Sequence, residues 1–419
     1  MKKSHTLHWF RHDLRVHDNP ALLRAAKQAN TLSCVFVIDP SWYDNTAYDA
    51  SHLGKHREQF LFQSLAALNN TLKQLGQRLV ILKGDSVEVL KAFAIEHNVD
   101  FITCSRHPGV VETQHLQALR NALPNVDVEE AESFTLFNQC NLPFSLSDMP
   151  DTFSPFRHKV EKFCTPASPV QTPDALPPPL KVAVQEEQSL PTHSVCSDWH
   201  GGEPAALKQL HHYLFDTDHI ASYKETRNGL TGWDYSSKFS AWLANGSLSC
   251  RYVYQHLKRY EEERVANEST YWLYFELLWR EFFQCQLLKY GHRLFSFAGI
   301  KQHKPRTSHD KTLHTLWCQG KTQSALVNAA MNQLNATGYM SNRARQWVAS
   351  YYVNTLQQDW RYAAAYFEQQ LIDFDVAANW GNWQYLAGVG SDPRGLREFN
   401  LAKQAQMYDP EGDFVRAWG

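Results

Sequence analysis

The residues best able to do chemistry lie in four short runs. Residues 371–385 read LIDFDVAANWGNWQY: Asp373 and Asp375, then Asn379, set beside Trp380 and Trp383. A carboxylate among bulky aromatics needs a cation or an N–H partner to offset the cost of leaving water. Residues 337–346 (TGYMSNRARQ) offer one, because Asn342 and Arg345 are three apart and share a face on a helix. Residues 271–284 (YWLYFELLWREFFQ) place Trp272, Glu276, Trp279 and Phe283 on one apolar helix face with a single carboxylate set into it. Residues 223–251 hold Tyr223 and then WDYSSKFS, where Asp234, Ser236 and Ser237 are N-cap types before a helix expected to begin near Lys238. Hydroxyls and a lysine at a helix N-terminus make an anion site. Each run also has a plain structural reading as aromatic core, ion pair or ordinary cap. Together they describe a buried polar pocket beside an anion site.

The elements that must position these runs fall into two parts. Residues 1–135 alternate short apolar runs (6–10, 32–39, 79–83, 99–105, 126–131) with helical patterns (20–29, 55–75, 87–97, 112–122). Five strands separated by four helices predict an α/β domain with a doubly wound parallel sheet. No GxGxxG follows the first strand, and no P-loop or other glycine-rich cradle supports an ATP-dependent enzyme. The charged residues just past strand one lie where such sheets bind ligands. Asp18 or Asn19 before Pro20 reads equally as a helix cap. Residues 136–200 form a connecting segment and linker, in which prolines at 166, 169, 173, 177, 178, 179 and 191 forbid a long helix. Residues 201–419 read as an all-α domain, with helical patterns over 205–215, 237–244, 250–263, 269–290, 324–335, 341–356 and 360–371.

Composition narrows the classes. A net charge of −2 excludes a strongly basic nucleic-acid protein, so any DNA site must be a local patch. Eight scattered cysteines with no CxxC pair read as reduced thiols, with no metal site. No run reaches membrane-spanning length, and MKKSHTLHWF leads into a strand-like run rather than a leader. The expectation is a cytoplasmic protein with no membrane partner.

Together these runs resemble the photolyase/cryptochrome family, in wording its DASH cryptochrome branch. Residues 9–19 (WFRHDLRVHDN) are similar to the family's N-terminal signature, and 148–157 (DMPDTFSPFR) to the DASH wording. The resemblance implies FAD, with Tyr223, Ser236, Ser237, Lys238, Phe239 and Ser240 around its diphosphate. Asp375 would accept a hydrogen bond from the flavin ring, Arg345 and Asp373 would form an ion pair over it, and Asn342 would add a polar contact. Asn379 would face N5, where protonation decides which redox form persists. The implied reaction is blue-light splitting of cyclobutane pyrimidine dimers, flipped out of DNA, by electron transfer from reduced flavin. Glu276 would hydrogen-bond the dimer, with Trp279 packed against it.

Some positions set the branch apart. Tyr385 stands where double-strand photolyases carry a second stacking tryptophan, and Gln346 where they carry methionine. A thinner apolar wall favours lesions in single-stranded or looped DNA. Trp383 and Trp360 match the inner and middle members of an electron relay, while Thr307 stands at the outer tryptophan's place. The relay is then cut short or exits through another aromatic, and an external reductant of the flavin becomes a partner. Arg251 reads as structural or as lying near the phosphates. Gln323, Ser324, Ala325, Asn328 and Asn332 depart from the family's usual residues, an alteration expected to change nucleic-acid affinity. Glu112, in SRHPGVVET, matches the acid that holds a methenyltetrahydrofolate antenna, or is simply a first-turn acid of the next helix. The sequence stops at Gly419, and no signalling tail is expected. The competing reading of the same flavin site is a blue-light photoreceptor with little or no repair.

Overall fold

The computed structural model describes residues 3–180, 198–395 and 398–419. Strands β1 (Lys3–Phe10), β2 (Ala29–Ile38), β3 (Leu79–Lys83), β4 (Phe101–Ser105) and β5 (Asp127–Ala131) form one parallel sheet in the order β3-β2-β1-β4-β5. Four helices make the crossovers: α1 (Pro20–Gln28), α2 (Lys55–Gln74), α3 (Ser86–Glu96) and α4 (Val110–Ala122). Both sheet faces carry a helix-packed core, which is why β2 and β4 read as largely apolar runs, while the central β1 buries Thr6 and His8 among its apolar residues.

The charged residues past β1 fasten the two halves of the chain together. Arg15 donates to the carbonyls of Gly246 (2.9 Å), Asp18 (2.9 Å) and Ser133 (3.0 Å). Glu203 accepts from the Val16 and His17 backbone N–H groups (2.9 and 3.1 Å) and from His17 Nδ1 (2.6 Å). Gly246 shows how close the approach is: a Cβ there would meet the His12 carbonyl at 2.0 Å, and its φ is +72°. Asn19, not Asp18, caps α1, accepting from the Leu22 N–H at 2.9 Å. The linker, where described, lies along the α/β domain, with the Leu32 N–H donating to the Pro178 carbonyl (3.0 Å). Its residues 181–197, including Pro191 and Cys196, fall outside the described residues.

The rest is helical: α5 (Phe153–Phe163), α6 (Glu203–His211), α7 (Tyr223–Thr226), α8 (Ser240–Asn245) and α9 (Cys250–Glu263) precede the long α10 (Glu268–Tyr290). After it come α11 (Lys311–Cys318), α12 (Ala325–Thr337), α13 (Asn342–Ser350), α14 (Trp360–Gln370), α15 (Val376–Leu386), α16 (Leu401–Tyr408) and α17 (Asp413–Trp418). The expected helices over 205–215 and 341–356 each end in a π-turn, at His212–Asp216 and Tyr351–Thr355. The helix expected near Lys238 starts at Ser240, with no side-chain cap bond. Lys238 has a φ of 58°, outside the helical region, so the chain turns there and leaves Ser236 and Ser237 before the helix.

Candidate functional site

α10 and α15 cross where Gly381 meets Phe283; a Cβ at 381 would lie 2.3 Å from the Phe283 ring. This close crossing sets the start of α15 beside α10. Asp375 caps α15, accepting from the Ala378 N–H at 2.9 Å. The same carboxylate accepts the Gln284 amide at 2.8 and 2.7 Å, with Arg280 Nε at 3.6 Å. Two residues earlier, buried Asp373 accepts from Arg345 Nη2 at 2.7 and 3.0 Å, while Arg345 Nε donates to the Met340 carbonyl at 2.8 Å. Burial acts against the guanidinium's charge, but Asp373 more than offsets it and holds Arg345 above its ordinary value. Asn379 gives its amide N–H to the Ala364 carbonyl (3.0 Å), which leaves its oxygen to meet a ligand N–H.

Asp373, Asp375, Arg345 and Asn379 line one cleft. Tyr223, Ser236, Ser237, Lys238, Phe239 and Ser240 line one part of it, and Asn342, Arg345, Gln346, Asp373, Asp375, Asn379 and Trp383 another, with Glu276 also on its wall. Lys238 is buried, its ammonium 3.3 Å from the Tyr235 ring centroid and 4.7 Å from Tyr339. No carboxylate pairs with it among the described residues. Burial, reinforced by Arg345, pulls it down to about 6. Glu276 accepts from Arg227 Nη1 at 2.7 Å; burial still raises its carboxyl above the ordinary range, Arg227 acting the other way.

Trp279, Tyr385, Trp360 and Glu112 do not line the cleft. Trp279 stacks face to face on Phe153 (3.7 Å, 10°) and meets Tyr385 edge-on at 6.0 Å. Trp360 is fully buried with its ring 5.8 Å from Trp380. Arg251 donates to the Thr135 carbonyl (2.8 Å) and to Asn138 (2.9 Å), a structural tie remote from the cleft. Asn328 closes a turn through Thr322, and Asn332 donates to the Trp418 carbonyl at 2.8 Å. Sequence reasoning missed Arg227, Gln284, Tyr235 and Tyr339. Arg227 lies four residues after Tyr223, a helical spacing that was available as a signal.

A family model described as the FAD binding domain of DNA photolyase matches residues 272–419, and one described as DNA photolyase matches residues 6–179. A cryptochrome DASH of Idiomarina loihiensis is 48% identical over 411 residues, covering 98% of this chain and 91% of its own. One of Vibrio parahaemolyticus is 45% identical, covering 100% and 94%. The chain belongs to the photolyase/cryptochrome family, in its cryptochrome DASH branch. The crystal structure of a Synechocystis cryptochrome matches with a TM-score of 0.94 at 40% identity, covering 100% of this chain and 89% of that one. A class III photolyase from Agrobacterium tumefaciens gives 0.86 at 27% identity, covering 100% and 87%.

FAD is the cofactor of this family's helical domain, and the cleft fits it. A buried ammonium without a carboxylate, beside the Ser236 and Ser237 hydroxyls, suits a diphosphate. The folate antenna finds a poorer fit. Glu112 accepts from His12 Nε2 at 2.8 Å and faces His107 Nδ1 at 3.5 Å, so its carboxylate is satisfied from within the chain. A pterin would have to displace His12 to reach it. No helix among the described residues is long and apolar enough to cross a membrane.

Proposed function

We propose that this protein splits cyclobutane pyrimidine dimers under blue light, preferentially in single-stranded or looped DNA. The carrying observation is the joint lining of one cleft by Asn379 and by Glu276, the latter held by Arg227 at 2.7 Å. Bound, reduced FAD supplies the light-excited electron that opens the cyclobutane ring and accepts it back. The chain's residues do the rest. Lys238, with Ser236, Ser237 and Ser240, holds the diphosphate; Tyr223 and Phe239 pack beside it. Asn342, Arg345, Asp373 and Asp375 would hold the ring system, and Asn379, whose amide N–H is bound to the Ala364 carbonyl, would offer its oxygen to a flavin N–H. Glu276, its carboxyl raised by burial, hydrogen-bonds the dimer carbonyls, where negative charge develops. Gln346 completes the substrate wall, Tyr385 stands outside it edge-on to Trp279, and Trp383 conducts electrons into the cleft. An external reductant is the partner that charges the flavin when light alone does so slowly.

The test is an assay on thymine-dimer oligonucleotides with chemically reduced protein under blue light. Dimers in single strands are expected to be cleaved in the light and not in the dark, with slow cleavage in duplex. Equal rates on both substrates refute the preference, and no cleavage of either refutes the repair reading. One observation favours the alternative, a blue-light photoreceptor that cycles flavin redox states without repair. Phe153 already occupies one face of Trp279, a ring that a dimer would pack against. Photoreduction without cleavage would establish that reading.

A further inference from the structure

The relay implied by the family resemblance lacks its outer member, because threonine stands at 307. A different aromatic series leaves the cleft from Trp383. Its ring centroid lies 6.1 Å from Trp317 and 6.2 Å from Tyr352, and those two rings are 4.7 Å apart. Both Trp317 and Tyr352 are fully buried. The Tyr352 hydroxyl stands 2.8 Å from His314 Nδ1. Nε2 of that imidazole lies 3.4 Å from Cys318 Sγ, which suits the tautomer with its proton on Nε2 and a lone pair on Nδ1 facing the phenol. Burial, helped by His309 and opposed by Asp49, lowers His314 to about 4, so the ring is neutral near pH 7. Beyond it, Tyr362 lies 5.9 Å from His314 and stacks on His309 at 3.5 Å; both are half-buried, toward the surface.

A buried phenol makes a poor electron donor unless its proton can leave with the electron, since oxidation turns the hydroxyl into a strong acid. Here the acceptor is already in place. We propose that Tyr352, with His314 as its proton acceptor, is a redox-active site that feeds electrons through Trp317 and Trp383 toward the flavin. Trp383 gives one electron to light-excited, oxidised FAD, and Trp317 and then Tyr352 refill the vacancy. As Tyr352 loses its electron, its phenolic proton crosses to His314 Nδ1. The products are a neutral tyrosyl radical, an imidazolium, and FAD carrying one more electron. A small thiolate from solution, oxidised to a thiyl radical that ends as disulfide, then returns an electron to Tyr352, and the proton held on His314 goes back to the phenol oxygen. This route concerns how the flavin is charged and stands whether or not the protein splits dimers.

The test illuminates FAD-loaded protein with blue light in the presence of a thiol. Oxidised-flavin absorbance is followed in solution and the radical by electron paramagnetic resonance. The protein is expected to give a tyrosyl radical that forms more slowly in deuterium oxide. Tyr352→Phe keeps the ring and removes the phenol, so the radical disappears. His314→Gln, which loses the positioned base, slows radical formation by about a hundredfold. FAD content of each variant, read from its absorbance, confirms folding. In FAD-free protein a soluble ruthenium photo-oxidant makes the same radical, and Tyr352→Phe abolishes it. A radical undiminished in Tyr352→Phe, or photoreduction lost in Trp360→Phe and untouched in Tyr352→Phe, overturns the proposal.

Discussion

Binding of FAD should draw a proton from solution. In the FAD-free protein Lys238 is lowered to about 6 by burial and by Arg345, with Asp373 and Asp234 acting the other way. At pH 7.5 its amine is therefore mostly neutral. A diphosphate placed against it stabilises the ammonium and raises its pKa toward the ordinary lysine value. Between pH 6 and that raised value the complex carries a proton that the free protein lacks, so about one proton is taken up per FAD. Loading it at pH 7.5 costs about 2 kcal/mol, and affinity falls about tenfold for each further pH unit. Below pH 6 both states are charged and uptake vanishes. The assay is titration calorimetry of FAD-free protein with FAD in two buffers of equal pH and different ionisation heat. The difference between the two observed heats counts the protons. Lys238→Gln should remove the difference and weaken binding. Heats that do not depend on buffer at pH 8, or uptake that persists in Lys238→Gln, would refute the placement of Lys238 at the diphosphate.

Three further outcomes are expected. Glu203→Ala strands two buried backbone N–H groups and His17, and should cost about 3–5 kcal/mol in urea unfolding. Burial acts to raise Glu203, but His17 and those N–H groups more than offset it and hold the carboxyl low. Its contribution is thus present above the unfolded value of about 4.3 and is lost as pH falls through the folded one, so Glu203→Gln should flatten the acid limb of the stability curve. Asp375→Ala removes the cap of α15 and the acceptor of Gln284; about 1–2 kcal/mol from the cap alone should appear in the thermal midpoint, with FAD retention falling in parallel. Gly381→Ala drives a methyl to 2.3 Å from the Phe283 ring and should cost about 1–3 kcal/mol, with loss of FAD on gel filtration. A yellow Gly381→Ala protein of unchanged stability would show that the crossing of α10 and α15 does not set the cleft.

The sequence made the sheet readable for a simple reason. Strands of a parallel sheet covered on both faces are continuous apolar runs, and the reading of 79–83 coincides with β3. The helices before and after them carry their apolar face at regular spacing, so their positions were recoverable as well. The turn at Lys238 was not: nothing in WDYSSKFS marks a lysine with positive φ, and cap-type residues read the same in a turn as before a helix. Arg227 and Glu276 are 49 positions apart, and their pairing is a fact of tertiary packing alone. The helix α15 around Gly381 is not among the helices expected from the sequence, which end at 371; a glycine inside it weakens it by roughly 1 kcal/mol, and the close packing of Phe283 is the reason it stands there.

The connecting segment turns out to matter more for the cleft than its proline-rich composition suggests. α10 bears Glu276 on the cleft wall and Arg280 and Gln284 against Asp375, while Glu281 accepts from the Leu136 and Phe137 N–H groups at 2.9 and 3.2 Å. Arg280 donates to the Phe134 carbonyl at 2.7 Å, and Lys289 reaches Asp151 at 2.7 Å. Residues 134–151 thus fix the rotation of the helix that carries Glu276. Two residues on, Phe153 covers one face of Trp279. A base stacked on an aromatic gains about 1–3 kcal/mol, and a stacked aromatic pair about 0.5–1.5 kcal/mol. A dimer that takes over that face in place of Phe153 therefore keeps only about 1 kcal/mol of net stacking. Drawing a dimer out of a duplex costs a few kcal/mol, which so small a gain does not cover. A dimer in a single strand carries no such cost, so if the protein repairs dimers as proposed, the covered tryptophan predicts a preference for unpaired DNA.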